Sequence, residues 1–509
     1  MQRAALGVLL AVVACAPSPP TNADVITVAL ANAPANLDPR VGSDEASQRV
    51  HQLLYSSLLR VADDLRVVPE LAERIERPDP RTYVIRLRAG VRFHDGRALT
   101  AADVVYTFKS FLDPSFVSPR KGAYRLVQTV EAIDPLTVRF VLKEPFGSFD
   151  VNLVMGIVPA GSGVSLARQP IGTGPYRLVS FVADDRVVLA PFADSFEGAP
   201  KNGGLVLKVV PDDTMRGLEL RKGSVDLIVN DVSPDIVHQL RAEGRLRLET
   251  TPGTDYAYVG LNLRNPALRD RRVRLALGFA IDRRAIVDHL RRGLAAPAVG
   301  LVPPTSWAFE PAAFSFTHDP ARARRLLDEA GYPDPDGDGP RPRLRLSLKT
   351  STSEIYRVQA AVIQHDLRQV GIDVDVRSYE FATLYADVLR GHFQMFTLQW
   401  VGVSDPDMLR RVFHSKQMPP AGFNRGFYEN ADVDRAIDAA TVATDDTARK
   451  ALYAEAQRLI AEDAPYISLW TKTNVAVFQR ELHGVRLSPM ASFSFLKDVY
   501  REPRAVATR

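Results

Sequence analysis

Helical and strand periodicities alternate along the C-terminal half of this chain, and that alternation restricts it to an α/β architecture. Val273, Ala276, Leu277, Ala280 and Ile281 keep the spacing of a helix that buries one apolar stripe. Asp319 is placed to cap a further helix, with Pro320 at its first position and Gly331 able to end it. The pattern predicts a long helix over 354–370 that leads into a strand at Ile372, Val374 and Val376. A last helix carries Leu452, Ala456, Leu459 and Ile460.

The N-terminal half is richer in strands. Residues 25–30 read as a short buried strand, residues 36–39 as a turn, and His51 to Arg60 as helical. Tyr83, Ile85 and Leu87 alternate with polar neighbours, and the strand is expected to resume at Val91-Arg92-Phe93 before the turn His94-Asp95-Gly96. Thr100 caps a helix, with Asp103 three residues on as the acidic member of a capping box. Further strands are expected at 136–142, 187–189, 205–210 and 225–229, with a tight turn at 172–176.

With 509 residues the chain exceeds one ordinary domain and implies two to four lobes. Its formal net charge is only +4 and the charges are interspersed, which argues against a nucleic-acid partner. The N-terminus stands apart. Residues 4–14 form an apolar run that is too short to span a bilayer, for which roughly 20 residues are needed, and it suits an export signal. It ends at Cys15, the only cysteine of the chain, and resembles a bacterial lipobox whose cysteine is lipidated. Proline-rich residues 16–21 read as a tether. Residues 1–23 are therefore assigned to a lipoprotein signal and tether. Without another cysteine, disulfides and thiolate chemistry are excluded from the exported protein.

Motifs for chemistry are few. His94-Asp95 imitates a catalytic pair, yet turn formation explains it better. Asp334, Asp336, Asp338 and Gly339 imitate the start of a calcium loop, but the position that must supply a bidentate carboxylate is Arg345. No zinc spacing, nucleotide loop or serine elbow is present. The expectation is no catalytic residue, no metal and no cofactor.

A series of blocks in order resembles one family, the bacterial extracellular solute-binding proteins of the oligopeptide/dipeptide class that serve ABC importers. The blocks are Leu37-Asp38-Pro39, residues 68–73, residues 87–96, residues 99–106, Gly172-Thr173-Gly174-Pro175-Tyr176, Gly260-Leu261-Asn262, residues 272–283 and residues 319–332. The resemblance implies a three-lobed α/β clamshell with mixed sheets and a hinge. Its first lobe would be discontinuous (24–43, 171–255 and 478–509), with an extra lobe at 44–170 and an opposing lobe at 256–477. It also implies a monomer at the extracytoplasmic or periplasmic face, anchored by lipid at Cys15, that hands a small peptide-like ligand to the permease subunits of an ABC transporter. The same fold can carry a nickel chelate, an opine, an oligosaccharide or haem. An extracytoplasmic hydrolase is the remote alternative.

The resemblance also places ligand contacts. Trp400 and the segment Asp405-Pro406-Asp407 fall where relatives face the cleft, and Trp400 can offer apolar contact and an indole donor. Relatives carry an aspartate after the tryptophan that holds a peptide's amino terminus; the matching place here is Val403, or the position is deleted. Asp405 can substitute, or the solute has no free amine there. Arg425 can pair a ligand carboxylate bidentately, with Asn424 and Tyr428 beside it. On the first lobe, Gly42, Ser43 and Asp44 match a segment that meets ligand in relatives.

Overall fold

The computed structural model describes residues 24–337, 339–443 and 445–502. The signal and tether reading, with Cys15, lies outside them, as does Asp338. Among the described residues, no helix is long and apolar enough to cross a membrane.

One mixed sheet runs through the molecule. Its strand order is Ile372–Tyr379, Leu344–Ser351, Met395–Trp400, Leu246–Leu261, Tyr466–Gln479, Leu227–Val229, Val25–Leu30, Gly204–Val209, Arg186–Pro191 and Tyr176–Val182. Strand Ala295–Pro297 pairs with Tyr466–Gln479 off this path. The three strands at the 372–400 end are mutually parallel. So are Gly204–Val209, Val25–Leu30 and Leu227–Val229 toward the other end. Two long antiparallel strands, Leu246–Leu261 and Tyr466–Gln479, join the halves. Their register slips between Pro252 and Tyr256. Gly253 is needed there, because a Cβ would stand 2.8 Å from the Asn474 amide oxygen. A register break in both crossing strands concentrates twist and bending at one level of the molecule.

The apolar side chains segregate into separate cores. Val28, Val50, Leu53, Leu54 and Leu205 share one. A four-stranded antiparallel sheet, ordered Ala72–Asp79, Thr82–Leu87, Thr137–Leu142 and Val127–Asp134, packs on helix Ala101–Leu112 through Phe108 and Phe111 to make another. In the half containing the 344–400 strands, one sheet face is covered by helices Arg271–Ala280 and Glu354–Arg368. The opposite face is rich in tyrosine and is covered by helices Phe381–Arg390, Ala431–Val442 and Asp446–Asp463.

The capping box at Thr100 is present. Asp103 is buried and accepts from the Thr100 amide at 2.8 Å and the Thr100 hydroxyl at 3.0 Å. Its other oxygen accepts from the Ala160 amide at 2.8 Å, which ties the helix to a distant loop. Asp103→Ala orphans three donors, so a loss of about 2 kcal/mol in urea melts is expected, above the ~1 kcal/mol of a solvent-exposed cap.

Two local expectations are corrected. The segment from His51 to Arg60 is not one helix. The helix is Glu45–Leu54, started by the Asp44 carboxylate accepting from the Ser47 amide at 2.8 Å, and Leu59–Val61 is a strand. Val50, Leu53 and Leu54 fill one core whereas Leu58 and Leu59 fill another, and a single helical stripe cannot reach both. Nor does the strand resume at 91–93. Only Arg92 bridges to Ala98 within a turn, since the His94 amide leaves to donate to the Gly172 carbonyl at 2.9 Å.

Candidate functional site

In open α/β sheets, ligands sit beyond the carboxyl ends of the parallel strands. Here those ends are Ser351, Tyr379 and Trp400, side by side. Three large apolar side chains stay exposed just after them: Ile355 at 36%, Phe381 at 58% and Val401 at 77%. That edge is the candidate site.

Its centre is Arg425, only 4% exposed. The guanidinium lies 4.6 Å from the Trp400 ring centroid, 4.9 Å from that of Tyr385 and 5.4 Å from that of Phe423. Nη2 donates to the Tyr385 hydroxyl at 3.0 Å and Nη1 reaches the Tyr258 hydroxyl at 3.4 Å. Among the described residues no carboxylate pairs with it, and Nε has no partner. The Trp400 indole N–H is likewise buried without an acceptor, and so is the Tyr466 hydroxyl. The box has stacked walls: Tyr258 lies 4.1 Å from Tyr466 and 6.4 Å from Trp400, with rings within 10° of parallel. Aromatic faces stabilise a cation but do not neutralise it. A buried charge without a counter-ion costs several kcal/mol, and two unsatisfied donors beside it add to that. A carboxylate is the group whose charge would complement this guanidinium.

A second polar group sits at the register break. The Asp255 carboxylate accepts from the Gly402 amide and from the Gln399 side chain, both at 3.0 Å, with the Lys472 ammonium at 3.6 Å.

The residues singled out in the sequence separate in space. Trp400 and Arg425 meet in the box. Asn424 is buried and saturated by its own loop, donating to the Tyr428 carbonyl at 2.7 Å and accepting from the Tyr428 amide at 3.0 Å. The Tyr428 hydroxyl donates to Asp463 at 2.6 Å. Both hold the loop that presents Arg425. Val403 is buried, and its amide donates to the Thr254 carbonyl at 3.2 Å. Asp405 accepts from the Asp407 amide at 2.8 Å, and its charged surroundings are Asp407 and Arg449, with Ser148 as a further donor. Burial first, and the neighbouring Asp407 second, push its carboxyl up to about 6. Asp44 is occupied as a helix cap, with Ser43 exposed beside it. Gly42 is buried, donating to the Asp38 carbonyl at 2.9 Å. These three lie beside the core that holds strand Val25–Leu30.

Tyr258, Tyr385, Phe423, Tyr466 and Asp255 were missed. Tyr256 and Tyr258 alternate on one strand face, which was a usable signal. The others carry none.

The sites of mimicry are occupied. His94 accepts the Gly172 amide at 3.2 Å and its other ring nitrogen meets the Gly174 carbonyl at 3.1 Å, while Asp95 pairs with Arg97 at 3.1 Å. Burial brings the His94 imidazole down to about 4, so it is neutral at pH 7. In the acidic loop, Arg343 lies 3.5 Å from Asp334 and Arg341 lies 3.4 Å from Asp336. Among the described residues no three acidic, histidine or cysteine side chains are grouped for a metal.

Known proteins resemble the whole chain. The family model described as bacterial extracellular solute-binding proteins, family 5 Middle, matches residues 66–419. The glutathione-binding protein GsiB of Pectobacterium atrosepticum is 31% identical over 507 residues, covering 96% of each chain. The oligopeptide-binding protein AppA of Bacillus subtilis, solved with a nonapeptide, superposes with a TM-score of 0.73 at 26% identity, over 94% of this chain and 99% of its own. HbpA2 of Haemophilus parasuis superposes with a TM-score of 0.85 at 25% identity, over 94% and 100%.

Proposed function

This chain belongs to the bacterial extracellular solute-binding proteins of family 5, and from that premise we propose that it captures a small peptide-like solute by its carboxylate and delivers it to an ABC permease. The observation that carries the reading is Arg425: a buried guanidinium in an aromatic box, with no acid of its own among the described residues. A planar carboxylate can pair with the Arg425 guanidinium, and the Trp400 indole N–H is a further donor without a partner at the box. Apolar rim residues such as Phe381 and Val401 can pack against the solute's apolar part.

The bodies that close are the discontinuous lobe of 24–43, 171–255 and 478–509, which carries the extra lobe of 44–170, and the opposing lobe of 256–477. The hinge is the register break near Gly253. Closure pays off only when solute bridges the two sides, so solute shifts the population toward the closed form. The solute's ammonium, if it has one, meets Asp255 rather than Val403, because Val403 offers no charge and is packed inside. Lipidation at Cys15 would hold the protein at the outer face of the cell membrane as a monomer. The reading is of a binder without catalysis: incubation with a peptide library should yield no cleavage products.

The test is calorimetric titration of the purified protein with glutathione, with short peptides, and with each peptide's C-terminal amide. A free acid is expected to bind at least about tenfold tighter than its amide, about 1.4 kcal/mol. Equal affinities for acid and amide would remove Arg425 as the anchor. Tight binding of a nickel chelate or oligosaccharide, with no peptide bound, would favour the other cargoes that this fold carries.

A further inference from the structure

The unit built on the four-stranded sheet and the tyrosine-rich unit that holds the box are not consecutive in the chain; the segments between them belong to the central sheet. Yet they touch at one place. The Gly147 amide donates to the Thr441 carbonyl at 2.8 Å, and the Trp307 amide donates to the Asp64 carbonyl at 3.0 Å. Two backbone hydrogen bonds between such separate segments make a strand-like seam without a sheet. Around it, the Trp307 ring is flanked by two guanidinia, Arg66 at 5.1 Å from its centroid and Arg449 at 5.4 Å. Each guanidinium also reaches across or along the seam: Arg66 pairs with Asp446 at 2.8 Å and Arg449 reaches the Ser148 hydroxyl at 3.5 Å.

Gly147 sets how close the two units come. A Cβ on it would lie 2.7 Å from the Thr441 carbonyl oxygen and 3.6 Å from that of Ala443, so the atoms it would meet first belong to the other unit. Its backbone is outside the left-handed region, so its small size matters here and its conformational freedom does not. A glycine that admits a remote carbonyl, two backbone hydrogen bonds and two guanidinia near one indole concentrate the contact between the units in one small area.

We propose that this seam is a clasp by which the extra lobe grips the opposing lobe in the closed state, so that release of bound solute is governed by residues that never touch the solute. The proposal rests on the closing cleft described above. The lobes are joined covalently only through the crossing strands at the hinge. A clasp remote from that hinge has leverage, and parting it frees the opposing lobe to swing. Closed-state contacts slow departure and leave encounter with the open cleft unchanged.

Hydrogen exchange on the full chain and on Gly147→Ala, each alone and with 5 mM glutathione, tests it. The seam is formed here without solute, so the Gly147 and Trp307 amides of the wild type are expected to be protected together in both conditions. In Gly147→Ala, exchange at the Trp307 amide should rise at least about tenfold, while the strands Thr137–Leu142 and Val127–Asp134 exchange as before. The acceptor of the Trp307 amide, the Asp64 carbonyl, lies in the extra lobe, so unchanged exchange at the Ala62 and Leu65 amides of its own turn separates parting of the seam from damage spreading from residue 147. Trp307→Ala should in turn deprotect the Gly147 amide. A Trp307 amide unprotected in the wild type under both conditions, or unmoved in Gly147→Ala, overturns the clasp. If glutathione changes nothing in any protein, glutathione is excluded as the solute, and the comparison without solute still decides the clasp. Where glutathione binds, its dissociation rate should rise at least about fivefold in Gly147→Ala with an unchanged association rate; a change confined to association would also overturn it.

Discussion

Arg425→Met is expected to abolish solute capture and, in the same protein, to raise the stability of the unliganded form. The two effects have one cause. In the free protein the guanidinium is buried among Trp400, Tyr385 and Phe423 with only phenol oxygens to bond. Replacing a buried, unpaired ion by an apolar side chain of similar length removes a desolvation cost, and such exchanges stabilise by about 1–3 kcal/mol. The same change deletes the donor fork that the solute's carboxylate would enter, a loss of about 3 kcal/mol or roughly a hundredfold in affinity. Arg425→Lys keeps the charge but not the fork, and should fall between, at about a tenfold loss. Thermal melts with and without solute give both readings at once: a higher melting temperature for Arg425→Met alone, and no further shift when solute is added. A methionine variant that melts below the wild type and still binds would mean that the guanidinium serves the core. Sites that oppose stability in the free protein are commonly those kept for function.

The second large effect is a pH dependence. Asp405→Asn should stabilise the protein by about 2–3 kcal/mol at pH 7 and by almost nothing at pH 4. In the folded protein burial and the nearby Asp407 hold the Asp405 carboxyl at about 6, against 3.8 for the free side chain. Below pH 4 both folded and unfolded chains are protonated there and no penalty exists. Between 4 and 6 the unfolded chain has lost the proton that the folded chain keeps, so stability from this group falls as pH rises. Above 6 the penalty is complete. Asparagine has no charge to desolvate and still accepts from the Asp407 amide. Urea melts of the two proteins across pH 4–8 should therefore diverge as pH increases. A constant gap, or one that widens toward acid, would show that Asp405 is well paired in the folded state.

Asp405 and Arg425 show how differently a site residue can be read from sequence. The resemblance sets Asp405 in the segment that faces the cleft in relatives, whereas Arg425 is a candidate by its chemistry. Yet Asp405 is turned toward Asp407, Ser148 and Arg449, close to the seam between lobes. Local spacing reports which residues neighbour one another along a strand or helix; it does not report which of two cores a loop side chain enters. For that reason the apolar run from His51 to Arg60 is not one helix: it is divided between two cores, with a strand beginning at Leu59.

Fold class, most element positions and family are legible along the chain. Periodicity, helix caps such as Thr100 with Asp103, and ordered motif blocks are local, and local physics forms them wherever the rest of the chain goes. Only the tertiary structure decided what Arg425 is. Its walls come from a crossing strand, a helix, a strand end and its own loop, at residues 258, 385, 400 and 423. Whether a guanidinium is solvated, paired or stranded depends on what those distant segments bring to within a few ångströms, because burial and charge compensation are properties of packing and have no signature along the chain.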